Sequence, residues 1–460
     1  MTRPRRYLLI AGLLLLAVLL GLSWQLFRMW MPNFFDAEMV DAGELDKVKG
    51  ATLTTPPAPA GPDWPRFRGP NNDGIASADN FNTDWQAKPP KLTWKTPCGG
   101  GYGSVAVAGG RVYVQDRQAE KGNERLLCLS AADGKELWAD EYPADYTRFS
   151  DMGGHGHGPK ATPTIHDGRA YTVGAVGQFC CLKLNGDAKP ELLWEHDLMA
   201  MFGADPKSKA LQWGYAGSPL VEGDLVIVPG GGKGGSVAAF DRVTGEKRWA
   251  VGTSMGAYSS PVAATFDGVR QVVAITSESV LGIGVPDGKK LWEYPWVSEP
   301  YRVNAVSPLV VGEYVFVSSD YGKGCAVLRV SGDGAKPVYF KPGAKGLKTW
   351  HNTAVHRDGF LFGFDSKVLK CMSLRDGTFV ADWDAPTTID KGGMLLVGDK
   401  LLVQCGSGTL HLIDADPKEF TSRGSLTGVV GKDSWATPAV LNGRIYTRDG
   451  ANVVCIDASK

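Results

Sequence analysis

The chain has 460 residues and sets 49 Lys and Arg against 49 Asp and Glu, so it carries no net charge. Balanced charge without a basic run removes the electrostatic ground for nucleic-acid binding. The length suffices for a sizeable core, and 59 glycines suit a chain of tight turns.

In chain order, Arg3, Arg5 and Arg6 precede an uncharged stretch from Tyr7 to Phe27. At about 1.5 Å per residue such a helix spans roughly the 30 Å hydrocarbon core of a bilayer. The arginines are expected to stay in the cytoplasm, which puts the rest on the periplasmic or extracytoplasmic side of the inner membrane. We read residues 1–28 as a single-pass signal anchor. A cleaved signal peptide is the alternative, but the apolar run is long for one and no small-x-small site follows it cleanly. Residues 29–63 read as a Pro/Ala-rich tether, stiffest over Thr54-Thr55-Pro56-Pro57-Ala58-Pro59.

From residue 64 onward one phrase recurs eight times: a glycine turn followed by an aromatic or aliphatic strand. The glycines are Gly110, Gly168, Gly223, Gly268, Gly312, Gly359, Gly398 and Gly443, spaced 39 to 58 residues apart. The last repeat is the cleanest. Ala439-Val440 is apolar, Asn442-Gly443 is a hairpin dipeptide, Arg444-Ile445-Tyr446 alternates, and Val453 to Ile456 is a third strand. The opening phrase returns as Thr162-Pro163, Ser218-Pro219, Ser260-Pro261 and Ser307-Pro308, and in degraded form at Ser104-Val105, Thr353-Ala354 and Gly393-Met394. Proline suits the start of a strand, where no ladder donor is needed. A fourth strand usually ends in tryptophan after a glycine turn, as at Trp138, Trp249 and Trp292.

Four antiparallel strands per repeat describe the blade of a β-propeller. The eighth repeat stops at Lys460 without its tryptophan strand, while Lys91-Leu92-Thr93-Trp94-Lys95 stands orphaned before the first. The expectation is an all-β, eight-bladed propeller over residues 64–460, closed by that N-terminal strand, with the tryptophans as wedges between blades. Of the eight cysteines, Cys128, Cys181, Cys371 and Cys455 hold one equivalent strand position in four blades. Such positions lie too far apart to bridge, so they read as core residues. The adjacent pair Cys180-Cys181 lies within a strand, where successive side chains point to opposite faces.

Ala239-Phe240-Asp241-Arg242-Val243-Thr244-Gly245-Glu246-Lys247-Arg248-Trp249 resembles the tryptophan-docking motif of the quinoprotein alcohol dehydrogenase-like propellers, Ala-x-Asp-x-x-Thr-Gly-x-x-x-Trp. The resemblance covers roughly residues 64–458 and implies pyrroloquinoline quinone (PQQ)-like repeats. The lead-in Asp63-Trp64-Pro65-Arg66-Phe67-Arg68-Gly69-Pro70 is similar to the opening of bacterial exported proteins built from these repeats. The propeller lipoprotein of the outer-membrane β-barrel assembly machinery is another relative, and it binds proteins without chemistry. The dehydrogenases need Glu, Asn and Asp around a Ca²⁺ ion and an Asp base. No loop of calcium-ligand type and no haem signature is visible in this chain.

Residues leading into each first strand converge on one mouth of the central channel. Counting three back from each proline-equivalent position gives Tyr102, Lys160, Ala216, Tyr258, Ala305, His351, Lys391 and Trp435, with Trp213, Tyr215, Arg302, Asn304 and Asp390 beside them. Tyr102, Lys160, Tyr258, Arg302, Asn304, His351, Lys391 and Trp435 form the candidate ligand site. Cations beside aromatics suit an anionic, partly flat ligand: PQQ, or an acidic loop of a partner. His155 and His157 on a glycine-rich loop are weak metal candidates without an evident third ligand. Two functions follow. One is a membrane-anchored exported binding or scaffold module for envelope proteins or polymers, without cofactor or catalysis. The other is a PQQ- and Ca²⁺-dependent alcohol or sugar dehydrogenase working at the channel mouth. A degenerate quinoprotein that binds without turnover lies between them.

Overall fold

The computed structural model describes residues 61, 63–149, 158–256 and 258–460. The eight repeats fold into eight separate sheets, each antiparallel among its own repeat's strands. Blade 1, for example, contains Ala106–Ala108, Arg111–Gln118, Asn123–Ser130 and Glu136–Pro143 in sequential order. Asn442 and Gly443 both take positive φ, 48° and 74°, as the hairpin between the first two strands of blade 8 requires.

The ring closes as the orphan strand predicts. Lys91–Pro97 pairs antiparallel with Asn452–Asp457 and supplies the outer strand of blade 8. Two blades depart from the four-strand pattern. Blade 7 gains a fifth, parallel strand, Ile75–Ala76, laid against Leu396 and Val397. In blade 6 only Val355–Arg357, Phe360–Asp365 and Val368–Ser373 are strands, and the fourth is reduced to a bridge between Met372 and Phe379. Asp382, at φ 62°, turns that chain away after a few residues, and Pro386 follows. Trp383 nevertheless reaches its wedge position and donates to the Asp416 carbonyl of blade 7.

The wedge bond recurs in other blades, although Trp292 Nε1 donates to Gln271 Oε1 within its own blade. Trp94 Nε1 donates to Ala131 O, Trp138 Nε1 to Gly186 O and Trp249 Nε1 to Val285 O, each crossing to the next blade. A Cβ on Gly134, Gly245 or Gly288 would run into the incoming indole, which is why glycine stands there. The cysteines are free, and all except Cys98 are buried. The expected anchor at 7–27 lies outside the described residues; among those described, no helix is long and apolar enough to cross a membrane.

A second device joins the blades at the channel. The backbone N–H of Ser104 donates to Thr162 Oγ1, that of Thr162 to Ser218 Oγ, and that of Ser218 to Ser260 Oγ. The sequence continues from Ser260 to Ser307 and from Ser307 to Thr353. Thr437 N–H of blade 8 returns to Ser104 Oγ of blade 1. Blade 7 interrupts this circle because its equivalent residue is Gly393, where a Cβ would clash with the Ala436 carbonyl. Each bond is worth about 1 kcal/mol net, and together they hold the inner strands in register around the axis.

One end of the channel is crossed by the lead-in segment. Trp64 pairs with Val107 of blade 1, and the Pro65 carbonyl accepts from Ile165 N of blade 2. Arg66 Nη1 reaches the Val221 carbonyl of blade 3. Arg68, only 2% exposed, donates to the carbonyls of Thr353 and Ala354 on blade 6 and to that of Asp73 in its own turn. Four residues, Trp64, Pro65, Arg66 and Arg68, thus bind four blades, and the segment then joins blade 7 as its parallel strand.

Candidate functional site

The other end of the channel opens into a cavity of about 160 Å³. Phe67, from the lead-in segment, contributes to its lining, as do the ring residues Ser104, Ser218, Ser260 and Thr437. Of the eight residues counted three back from the proline position, all but Lys391 line it. The inner strands run along the channel wall, so equivalent positions in eight blades meet at one level.

The walls are mostly aromatic. Tyr102 and Trp435 stack at 5.2 Å and 22°, and His351 lies 5.0 Å from Trp435. Trp350 sits 6.0 Å from Trp435 and donates through Nε1 to the Tyr321 hydroxyl. Farther round the ring, Trp213 and Tyr258 pack at 5.6 Å, and the Tyr258 hydroxyl accepts from Trp213 N. Lys391 stands over Trp350, its Nζ 2.9 Å from the ring centre and 5.6 Å from that of Trp435. Burial, with Lys367 nearby, lowers its pKa.

Lys160 lines the cavity and donates to the Trp213 carbonyl at 3.0 Å and the Gly158 carbonyl at 3.4 Å. Burial brings its pKa down to about 8, against a smaller upward pull from Glu124. Glu124 is fully buried in blade 1 and accepts from the hydroxyls of Tyr142 and Tyr146 and from Ala175 N. Burial raises its pKa and these bonds oppose the shift.

Two residues singled out in the sequence lie elsewhere. Arg302 turns outward to pair with Glu278 at 2.6 Å. Asn304 is buried among Thr276, Trp296 and Ser319, donating to the first two carbonyls and accepting from the Ser319 hydroxyl. Tyr215 and Asp390 do not line the cavity either. His155 and His157 lie outside the described residues. Sequence reasoning missed Phe67, Tyr321, Trp350 and Asn352. The hydroxyl-bearing residue that precedes most prolines was visible, but it read only as a strand opening.

A family model described as "Outer membrane protein assembly factor BamB" matches residues 75–153 and 122–381. The chain belongs to this family. No curated protein matches it. Among solved structures, a europium-containing methanol dehydrogenase is similar with a TM-score of 0.63, at 12% identity over 90% of this chain and 100% of that one. The quinohemoprotein alcohol dehydrogenase ADHIIG from Pseudomonas putida HK5 gives 0.55, at 12% identity over 86% of this chain and 80% of that one. The computationally designed Ika8 protein gives 0.52, at 10% identity over 83% and 98%. At such identities the likeness is one of fold.

None of the described residues that line the cavity is an Asp or Glu, the carboxylates a PQQ–Ca²⁺ centre needs. Among the described residues, no three His, Cys, Asp or Glu side chains converge where they could hold an ion. Glu124 is engaged by two tyrosines, and the Asp320 carboxylate accepts from Tyr321 N and the Ser366 hydroxyl. The cavity is also small beside the roughly 300–1,000 Å³ of pockets for drug-sized ligands, let alone a cofactor with its substrate.

Proposed function

We propose that this BamB-family propeller is a binding or scaffold module of the cell envelope, held at the inner membrane by residues 7–27, which receives a partner at the channel mouth without catalysis. One observation carries the reading. The mouth is a cavity the size of a side chain, walled by Tyr102, Trp435, Trp213 and Tyr258 and bordered by Lys160, with no assembled ion site among the described residues. Buried aromatic pockets of this kind anchor hot-spot side chains of protein partners. The flanking lysines favour an anionic group.

Photo-crosslinking tests it. A crosslinking residue at Tyr102 is expected to capture an envelope partner, and one at Val243, exposed on a blade 3 turn, is not. Capture at Val243 with none at Tyr102 sinks the mouth reading. The dehydrogenase alternative is checked by adding PQQ and Ca²⁺ to the purified chain. Dye reduction with alcohols or sugars would establish it, and no reduction is expected.

A further inference from the structure

The cavity lining includes unused hydrogen-bond donors. The hydroxyl oxygens of Ser104, Ser218 and Ser260 each accept a backbone N–H from a neighbouring blade. All three side chains are buried and line the cavity. Among the described residues, none of these hydroxyls donates to a protein acceptor. A hydroxyl has one proton to give, and engaging its oxygen with an N–H polarises that proton and strengthens it as a donor. The inner ring therefore presents three O–H groups to the cavity. Lys160 adds a charged donor, since among the described residues two carbonyls take only two of its three N–H bonds. Donors set beside apolar aromatic walls complement a carboxylate on a slim apolar stem.

A second orphan narrows the ligand. Asn352, 5% exposed, lines the same cavity, and among the described residues its Oδ1 accepts no hydrogen bond. A carboxylate leaves that acceptor unsatisfied, whereas an amide N–H close to the carboxylate satisfies it. The two groups stand one Cα apart at the end of a polypeptide. An Asp or Glu side chain has the carboxylate on a longer, differently directed stem.

Building on the mouth as the binding site, we infer that this site takes the free carboxyl terminus of a protein partner. The terminal carboxylate meets the hydroxyls of Ser104, Ser218 and Ser260 and the Lys160 ammonium. The last backbone N–H donates to Asn352 Oδ1, and the terminal side chain lies against Tyr102 and Trp435.

The test uses the full chain in detergent and three probes followed by calorimetry: acetyl-Ala-Ala-Phe with a free carboxylate, its C-terminal amide, and acetyl-Ala-Glu-Ala amide. The free acid is expected to bind at least about tenfold more tightly than either amide, the span of a lost charge-assisted hydrogen bond. Asn352→Asp, nearly isosteric, should repel the carboxylate and cost a similar factor, and Lys160→Met should weaken the free acid while leaving the amide unchanged. Unaltered melting temperatures exclude misfolding as the cause. Equal binding of acid and amide overturns carboxylate recognition. A Glu-bearing probe that matches the free acid overturns the chain-end assignment. If no probe binds while crosslinking at Tyr102 still captures a partner, this inference fails and the mouth reading survives; if the crosslink also fails, both fall.

Discussion

The two ends of the channel are made by the same eight inner strands, yet they have opposite characters. At one end the lead-in segment bonds to successive blades through backbone and guanidinium contacts, and Arg68 is buried. At the other, aromatics and Lys160 surround a cavity that no other described segment crosses. The repeat fixes where side chains converge, while non-repeating residues decide which end is sealed and which is available. Function in such a ring is therefore sought where the repeat's own positions vary in chemistry and no other segment covers them.

The largest break in this contrast comes from the sealed end. Arg68→Ala leaves three carbonyls without their donor and is expected to cost about 3 kcal/mol in urea unfolding. Arg68 does not line the cavity, but its neighbour Phe67 and, beside its acceptor Thr353, Asn352 do, so peptide affinity should fall by only a few-fold while stability drops. A collapse of affinity alongside stability would show that the two ends are not separable.

The ring between them comes next. Ser104→Ala removes the acceptor of Thr437 N–H at the point where blade 8 meets blade 1. A loss of about 1–2 kcal/mol is expected, with faster amide exchange at Thr437. At the open end, Trp435→Ala should cost only about 1 kcal/mol of stability, as it removes a half-buried stack, while abolishing measurable peptide binding. A large stability loss with binding intact would reverse the roles assigned to the two ends.

The smallest effect is in pH. Lys160 has a pKa of about 8 in the folded chain and is charged below that value. Affinity for a carboxylate should therefore fall as pH rises through 8, and Lys160→Met should flatten the profile. The sign for folding is opposite. The folded pKa lies below the ordinary lysine value of 10.5, so between 8 and 10.5 the unfolded chain binds more protons. This group makes stability rise with pH across that window.

The architecture was legible because it is written eight times. Hairpin glycines, tryptophan spacing and the orphan strand at Trp94 are local signals, each confirmed by a paired strand or a docked indole. The mouth followed by counting from proline, since equivalent positions in a closed ring share a level. The misplacements have particular causes. Arg302 stands beside the repeat position, and Glu278 draws it outward. The blade 6 strand fails at Asp382, whose positive φ is not shared by Leu137, Arg248 or Leu291, the residues before the other wedge tryptophans. The sealing segment had no periodicity to read: its bonds join single residues to strands 43 to 286 positions away. A Trp-Pro-Arg-Phe-Arg cluster beside a Pro/Ala-rich stretch was the available hint.

The closing strand has a consequence for how the molecule is made. Lys91–Pro97 has its partner in Asn452–Asp457, on the far side of all the other blades in the sequence. The other blades draw on strands made earlier, but the eighth waits for Asn452–Asp457 to be made. Until then blade 1 exposes the Ala131–Gly134 surface that Trp94 covers, and the partly built ring keeps an open flank. A chain that stops short of Asn452 leaves the ring unclosed, with that flank open to other chains.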